Sequence, residues 1–214
     1  MIDPVRLDEL SVRELGARLA SSEPIPGGGS AAAITGMLAA ALVKMVVELS
    51  AGRPAHATDE EELREIGLTA SAWQSELLHL ANQDATAYAA VVRARRMPRD
   101  TDLARTSRAK QVDAAVRDAT RVPLRIVEVA SQVLDLAVRV APIGNPHAAS
   151  DAGVAAQLAS AAMRGAALNV RINLPSLPAE DELRDKASAD LEKLLSNVAQ
   201  REAAALDAVE ARIG

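Results

Sequence analysis

The sequence predicts an all-α protein: a single-domain helical bundle over residues 1–214 with very apolar central helices. Two observations carry this. The hydrophobic share is 49% while the aromatic share is 1%, with no Phe, one Trp (Trp73) and one Tyr (Tyr88). Sheets favour aromatic and β-branched residues, whereas Ala and Leu dominate here and favour helices. The apolar residues also recur at alternating spacings of three and four, and no two-residue alternation appears. Small side chains let helix axes approach closely, so tight Ala-lined contacts are expected.

Each helix has its own start and stop signals. Ser11-Val12-Arg13-Glu14 reads as a capping box that opens a short helix to about Ser21. Pro24 and Pro26 end it. A second helix runs from about Ser30 to Leu49, apolar on nearly every face up to Val43, as a central helix reads. Gly52, Arg53 and Pro54 end that one. A third begins near Thr58-Asp59-Glu60-Glu61, where acidic residues suit the helix dipole, and reaches about Arg96. A fourth covers Asp102 to Thr120. Val122-Pro123 separates it from a fifth, Leu124 to Ala141. Pro142 to Pro146 is a turn, a sixth helix spans Ser150 to Asn173, and the last covers Glu180 to Arg212.

Composition excludes several function classes. The net charge of -5 argues against nucleic acid, which needs a basic footprint. Without cysteine there is no disulfide, thiolate nucleophile or zinc–thiolate site, and three scattered His (His56, His79, His147) do not suggest a metal centre. The N-terminus lacks the apolar core of a signal peptide. The uncharged run Ile25 to Val43 has a helical part too short for a membrane span, which needs about 20 apolar residues. A cytoplasmic protein that neither spans a membrane nor binds nucleic acid is expected.

Four features point to chemistry. Gly27-Gly28-Gly29-Ser30 precedes a long helix whose free N–H groups suit close approach of a ligand. It is neither a P-loop nor a dinucleotide fingerprint, because no strand precedes it and no Gly-Lys-Ser/Thr follows. Asp84 continues the apolar stripe Leu63, Ile66, Ala70, Trp73, Leu77, Leu80 of the third helix, with Tyr88 four residues on. A carboxylate on a core-facing stripe is either paired or used, and burial raises its pKa towards acid–base work. Asp151 and Asn169 share a face of the sixth helix but lie about 27 Å apart along it, so they do not meet at one atom on a straight helix. Asn169 and Asn173 form an i,i+4 pair. Arg93, Arg95, Arg96 and Arg99 end the third helix, either as partners for its dipole or as a clamp for a polyanionic tail.

Taken in order, these runs resemble the cyclodeaminase/cyclohydrolase family of folate enzymes. Pro24-Ile25-Pro26-Gly27-Gly28-Gly29-Ser30-Ala31-Ala32-Ala33 with Gly36 is similar to the family signature. Ser50-Ala51-Gly52-Arg53, Asp84 with Tyr88 and Val91, Met97-Pro98, and Val122-Pro123 are similar to further family segments. So are Gly144-Asn145, Ser150-Asp151-Ala152-Gly153-Val154 and the Ala167 to Asn173 block. Arg53-Pro54-Ala55-His56 and Pro146-His147 depart from the family pattern.

The resemblance implies a helical homodimer acting on a tetrahydrofolate derivative near the subunit interface. No cofactor beyond that substrate and no metal is expected. It implies Asp84, Asp151 and Tyr88 as catalytic residues. Gly27, Gly28, Gly29, Ser30, Arg53, Asn145, Asn169 and Asn173 would hold the folate, whether or not its tail is polyglutamylated. Hydrolysis of 5,10-methenyltetrahydrofolate to 10-formyltetrahydrofolate is the expected reaction, since no formiminotransferase domain accompanies the chain. The alternatives are a formimidoyltetrahydrofolate cyclodeaminase that releases ammonia, and a non-catalytic folate- or protein-binding oligomer.

Overall fold

A computed structural model describes residues 6–213. Among them are seven α-helices and no strand. They are α1 (Val12–Leu19), α2 (Gly28–Ser50), α3 (Glu60–Arg95), α4 (Asp102–Ile143), α5 (Ala149–Asn173), α6 (Glu182–Leu195) and α7 (Val198–Ile213). The expected all-α bundle is what forms. The four long helices close a ring in chain order: α2 packs on α3, α3 on α4, α4 on α5, and α5 on α2. α7 seals the outer side of α4 and α5.

Small residues make the ring tight. Ala33, Ala39 and Ala40 of α2 and Ala155, Ala156, Ala159 and Ala162 of α5 are fully enclosed. A Cβ on Gly67 of α3 would stand 2.9 Å from Val47 of α2, so these two helices approach backbone to side chain. The larger core residues Ile66, Leu77, Ile126, Leu134 and Met163 fill the remaining interior. Each removes apolar surface worth about 1.5–3 kcal/mol from water. One helix among the described residues, Gly28–Ser50, is long and apolar enough to cross a membrane, and half of its apolar window is buried in the bundle.

The ends of most helices follow their local signals. Ser11 and Glu14 form the capping box of α1. Thr101 caps α4, and Asp181 caps α6 while pairing with Arg117. Two boundaries differ from the expected ones. The final helix is two: Ser196 and Asn197 interrupt it, because the Ser196 hydroxyl turns back to the Lys193 carbonyl and the Asn197 carbonyl starts the next helical ladder at Arg201. The second difference matters more to function. The expected break at Val122-Pro123 does not occur, and α4 runs unbroken for 42 residues with Pro123 buried inside it.

Proline has no N–H, so the carbonyl four residues back loses its helical donor. That carbonyl belongs to Ala119. It accepts instead from the side-chain amide of Asn173 in α5, at 2.7 Å. A tertiary hydrogen bond therefore replaces the one that Pro123 removes, and α4 stays continuous.

This predicts a specific coupling. Asn173→Ala should destabilise the protein by about 1–3 kcal/mol, the usual result of stranding a buried acceptor. In a Pro123→Ala background the restored backbone N–H can reach the Ala119 carbonyl, and the same substitution should have a clearly smaller effect. Denaturant unfolding of the four members of this cycle measures the difference. Equal effects in both backgrounds would show that the two residues act independently.

Candidate active site

The N-terminus of α2 points into a cavity of about 200 Å³. The preceding loop supplies Pro24, Ile25 and Gly27, and the helix itself opens with Gly28 and Gly29. Asp84, Ala85 and Tyr88 of α3 form a second wall, Ala119 of α4 the floor, and Asn169, Ile172 and Asn173 of α5 the third wall.

The glycines are there for clearance. A Cβ on Gly29 would fall 2.2 Å from Asp84 Oδ1 and 2.6 Å from its Cγ, a position no side chain can occupy. On Gly28 a Cβ would instead touch the Asn169 amide at 3.7 Å. The Asp84 carboxylate thus lies directly over the bare backbone that starts α2, where N–H groups without helical partners carry partial positive charge. Burial pushes the Asp84 carboxyl above its ordinary pKa, while the Ser30 hydroxyl and backbone N–H pull it back part-way. Ser30 Oγ stands 2.9 Å from Asp84 Oδ2 and 3.1 Å from the Ala81 carbonyl oxygen.

The asparagines have fixed orientations. Asn169 Nδ2 donates to the Gly165 carbonyl at 3.0 Å, and Asn173 Nδ2 donates to Ala119. A carbonyl only accepts, so each amide commits one of its two N–H donors there, which fixes which end is nitrogen and leaves Oδ1 as an acceptor. Apart from Asp84, no wall residue carries a formal charge. The cavity is one carboxylate among neutral groups, which suits a donor-rich or cationic ligand.

Several candidate residues lie elsewhere. Ser30 is fully enclosed and touches Asp84 rather than the cavity. Asp151 sits in the first turn of α5, which runs uninterrupted from Ala149 to Asn173 and holds it about 27 Å from Asn169. Asn145 is buried at the far end of α2, where its N–H donates to Ser50 Oγ at 2.7 Å and its amide to the Leu49 carbonyl. Arg53 is exposed at that same end, beyond Gly52, whose φ of 69° ends α2 in the left-handed turn glycine favours. The structure therefore divides these residues into two groups at opposite ends of the bundle. Five wall residues, Pro24, Ile25, Ala85, Ala119 and Ile172, are absent from the sequence-based candidates. Pro123 is the available signal for Ala119, since it marks the stranded carbonyl four residues earlier.

A larger cavity of about 840 Å³ lies on the opposite flank of α3. Its charges are already matched. Asp8 accepts from Arg6 and Asn82, and Asp118 faces Arg121 at 3.6 Å. Among the described residues no three His, Asp or Glu side chains converge.

The formiminotransferase-cyclodeaminase family model matches residues 11–193. The chain belongs to this family. It is 40% identical over 171 residues to a methenyltetrahydrofolate cyclohydrolase of Methylorubrum extorquens, covering 78% of this chain and 82% of that protein. It is 34% identical over 201 residues to the formimidoyltransferase-cyclodeaminase of Mus musculus, of which it spans only 36%. A crystal structure described as formiminotetrahydrofolate cyclodeaminase from Thermotoga maritima has the same fold. That match has a TM-score of 0.85 at 24% identity and covers 97% of this chain and 99% of that one. Within this family fold, the motif runs around Gly29, Asp84 and Asn169–Asn173 meet at one cavity, and Pro123 bears on it through the Ala119 carbonyl that Asn173 satisfies.

The electrostatics of Asp84 make a stability prediction. A carboxyl whose folded-state pKa is raised adds stability below its unfolded pKa, and that contribution is lost as pH rises through the folded value. Asp84→Asn should therefore melt at a higher temperature than the parent protein near neutral pH. The two melting curves should converge at acidic pH. A variant that is less stable at neutral pH would mean the charge is well compensated where it sits.

Proposed function

We propose that this protein is a cytoplasmic methenyltetrahydrofolate cyclohydrolase that hydrolyses 5,10-methenyltetrahydrofolate to 10-formyltetrahydrofolate, with Asp84 as its acid–base group. The observation that carries this is the single carboxylate in an otherwise uncharged cavity. The methenyl bridge between N5 and N10 is cationic, and a partly desolvated carboxylate stabilises such a charge far better than bulk water does. The Methylorubrum relative of that name supports the choice of reaction.

The chemistry needs one group to take a proton and give it back. Water attacks the bridge carbon, and Asp84 accepts its proton. The neutral tetrahedral adduct then opens. Asp84 returns the proton to N5, the C–N5 bond breaks, and the adduct hydroxyl releases its own proton to solvent as the formyl C=O forms. One proton is released overall, which balances the charge of the cation. A raised pKa brings Asp84 closer to the working pH, where both transfers are efficient. Tyr88, 45% exposed at the cavity rim, orients the ligand. The Oδ1 atoms of Asn169 and Asn173 accept from N–H groups of the pterin. No cofactor beyond the folate is required by this sequence of steps.

A cavity of about 200 Å³ is smaller than the ~300–1,000 Å³ of sites that enclose a drug-sized ligand. Part of the folate must therefore be covered by something else, and we propose a second copy of the chain. Leu38, Met45 and Leu49 of α2 and Val154, Leu168 and Ile172 of α5 are exposed apolar residues on two helices packed against each other. Ile172, 75% exposed, also lines the cavity. Asp151 and Arg53 would then serve the reaction from the partner, while Asn145 stays buried in its own chain.

The second reading, cyclodeamination of a 5-formimino substrate with release of ammonia, has the vertebrate relatives behind it. It would use the same carboxylate, with N10 as the nucleophile. Decay of the methenyl chromophore against ammonia release, measured with both substrates, separates the two, and a protein inert to both would be a binder only. Asp84→Asn should lower turnover of the preferred substrate by about 10²–10⁴. Wild-type turnover in that variant would remove Asp84 from the chemistry. Leu168→Glu should shift the protein towards monomer in sedimentation. An unchanged oligomeric state would place the interface elsewhere.

A further inference from the structure

Ser30, expected to hold the folate, meets Asp84 instead. It is fully enclosed and reaches no part of the cavity wall. Its hydroxyl stands between two oxygens, Ala81 O at 3.1 Å and Asp84 Oδ2 at 2.9 Å. A hydroxyl has one proton and cannot donate to both at once. The Ala81 carbonyl can only accept, and it already lies within the helical ladder of α3. With Asp84 ionised, the hydroxyl proton belongs on Oδ2. With Asp84 protonated on Oδ1, the oxygen that Ser30 does not touch, Oδ2 is still an acceptor and the hydroxyl proton stays on it. Both states are then hydrogen-bonded with no heavy atom moved.

We propose that Ser30 is a positioning residue, holding Oδ2 of Asp84 in one place through both of its protonation states, so that Oδ1 is the oxygen left to take and return the proton. This rests on the reaction proposed above, in which Asp84 first takes a proton and then returns it. A carboxylate that swung on protonation would return the proton to the wrong atom. Ser30 removes that motion, and Gly29 leaves the room for the carboxylate, because any side chain there would displace it. The electrostatic surroundings are simple. The α2 terminus presents Ser30 and its backbone N–H, α4 presents Ala119, and α5 presents Asn169, Ile172 and Asn173. Tyr88 on α3 is the other titratable wall residue.

The test compares Ser30→Ala with the parent protein. Alanine removes one oxygen from a buried helical site and favours the helix, and thermal melting checks that the fold is kept. Carbon-13 NMR of the Asp84 carboxyl, assigned through Asp84→Asn, follows its titration without relying on turnover. The hydroxyl bonds the ionised carboxylate more strongly than the neutral acid, so its loss should move that titration upward. The acid limb of kcat/KM against pH should move with it. At the pH plateau kcat should fall by about 10- to 100-fold, the range expected for a misplaced reacting group, with KM nearly unchanged. An unmoved carboxyl titration overturns the proposal. So does a variant in which KM rises and kcat does not, because that would make Ser30 a substrate contact. If the parent protein turns over neither folate substrate, the reaction reading falls, and the NMR titration still decides whether Ser30 governs Asp84. Ser30→Cys, with its weak S–H donor, should fall between the parent and Ser30→Ala.

Discussion

The site depends on a carboxylate resting against a helix that begins without side chains. Asp84 comes within 2.2 Å of where a Gly29 Cβ would be, so the contact exists only because that atom is missing. Two consequences follow from one geometry. The carboxylate is removed from water, which favours its protonated form, and it faces the free N–H end of α2, which favours its ionised form. The balance leaves a carboxyl raised by burial and drawn back part-way by the helix end. A fully apolar pocket would hold it neutral, and a nearby arginine would hold it charged. Neither extreme suits the two proton transfers proposed for Asp84.

The remaining wall is held by a repair. Pro123 strands the Ala119 carbonyl inside α4, and Asn173 satisfies it from α5. The proline thereby fixes the asparagine, because leaving that carbonyl bare in the interior is unfavourable. Asn173 then cannot turn its amide around, and its Oδ1 stays available as an acceptor beside Asp84. A residue with no polar side chain of its own, four positions from the cavity floor, decides how the cavity is polarised.

Much of this is legible in the sequence, and the exceptions have physical causes. Helix ends set by local chemistry are readable: the Ser11–Glu14 box, the Gly52 turn, and the stop at Arg95 and Arg96. Asp84 is readable because it breaks an apolar stripe. The continuity of α4 is not, because Pro123 carries a strong local signal for a break and the compensating donor comes from another helix. The break at Ser196 and Asn197 is hidden for the opposite reason, since neither residue disrupts a helix strongly by itself and the surrounding pattern stays amphipathic. Ser30 reads as a ligand contact because it closes the glycine run at a helix start, and only packing shows that its hydroxyl faces α3.

The rigidity of α2 and α5 sets the last constraint. Asn145 is locked beneath the end of α2 by Ser50 and Leu49, about 33 Å along that helix from the glycine loop. Asp151 is held at the matching end of α5 by a helix without a break. Neither separation can close by bending, because both helices are packed along their length against each other and against α3 and α4. The far residues therefore have two roles open to them within one chain. Asn145 already fills the structural one, as the pin between α2 and the turn before α5. Asp151, partly exposed and with no side-chain hydrogen bond among the described residues, does not fill it in the same way. A carboxylate left so at a helix start is stabilised by the dipole alone, and it has the freedom that Asn145 lacks to play the part proposed for it across a subunit interface.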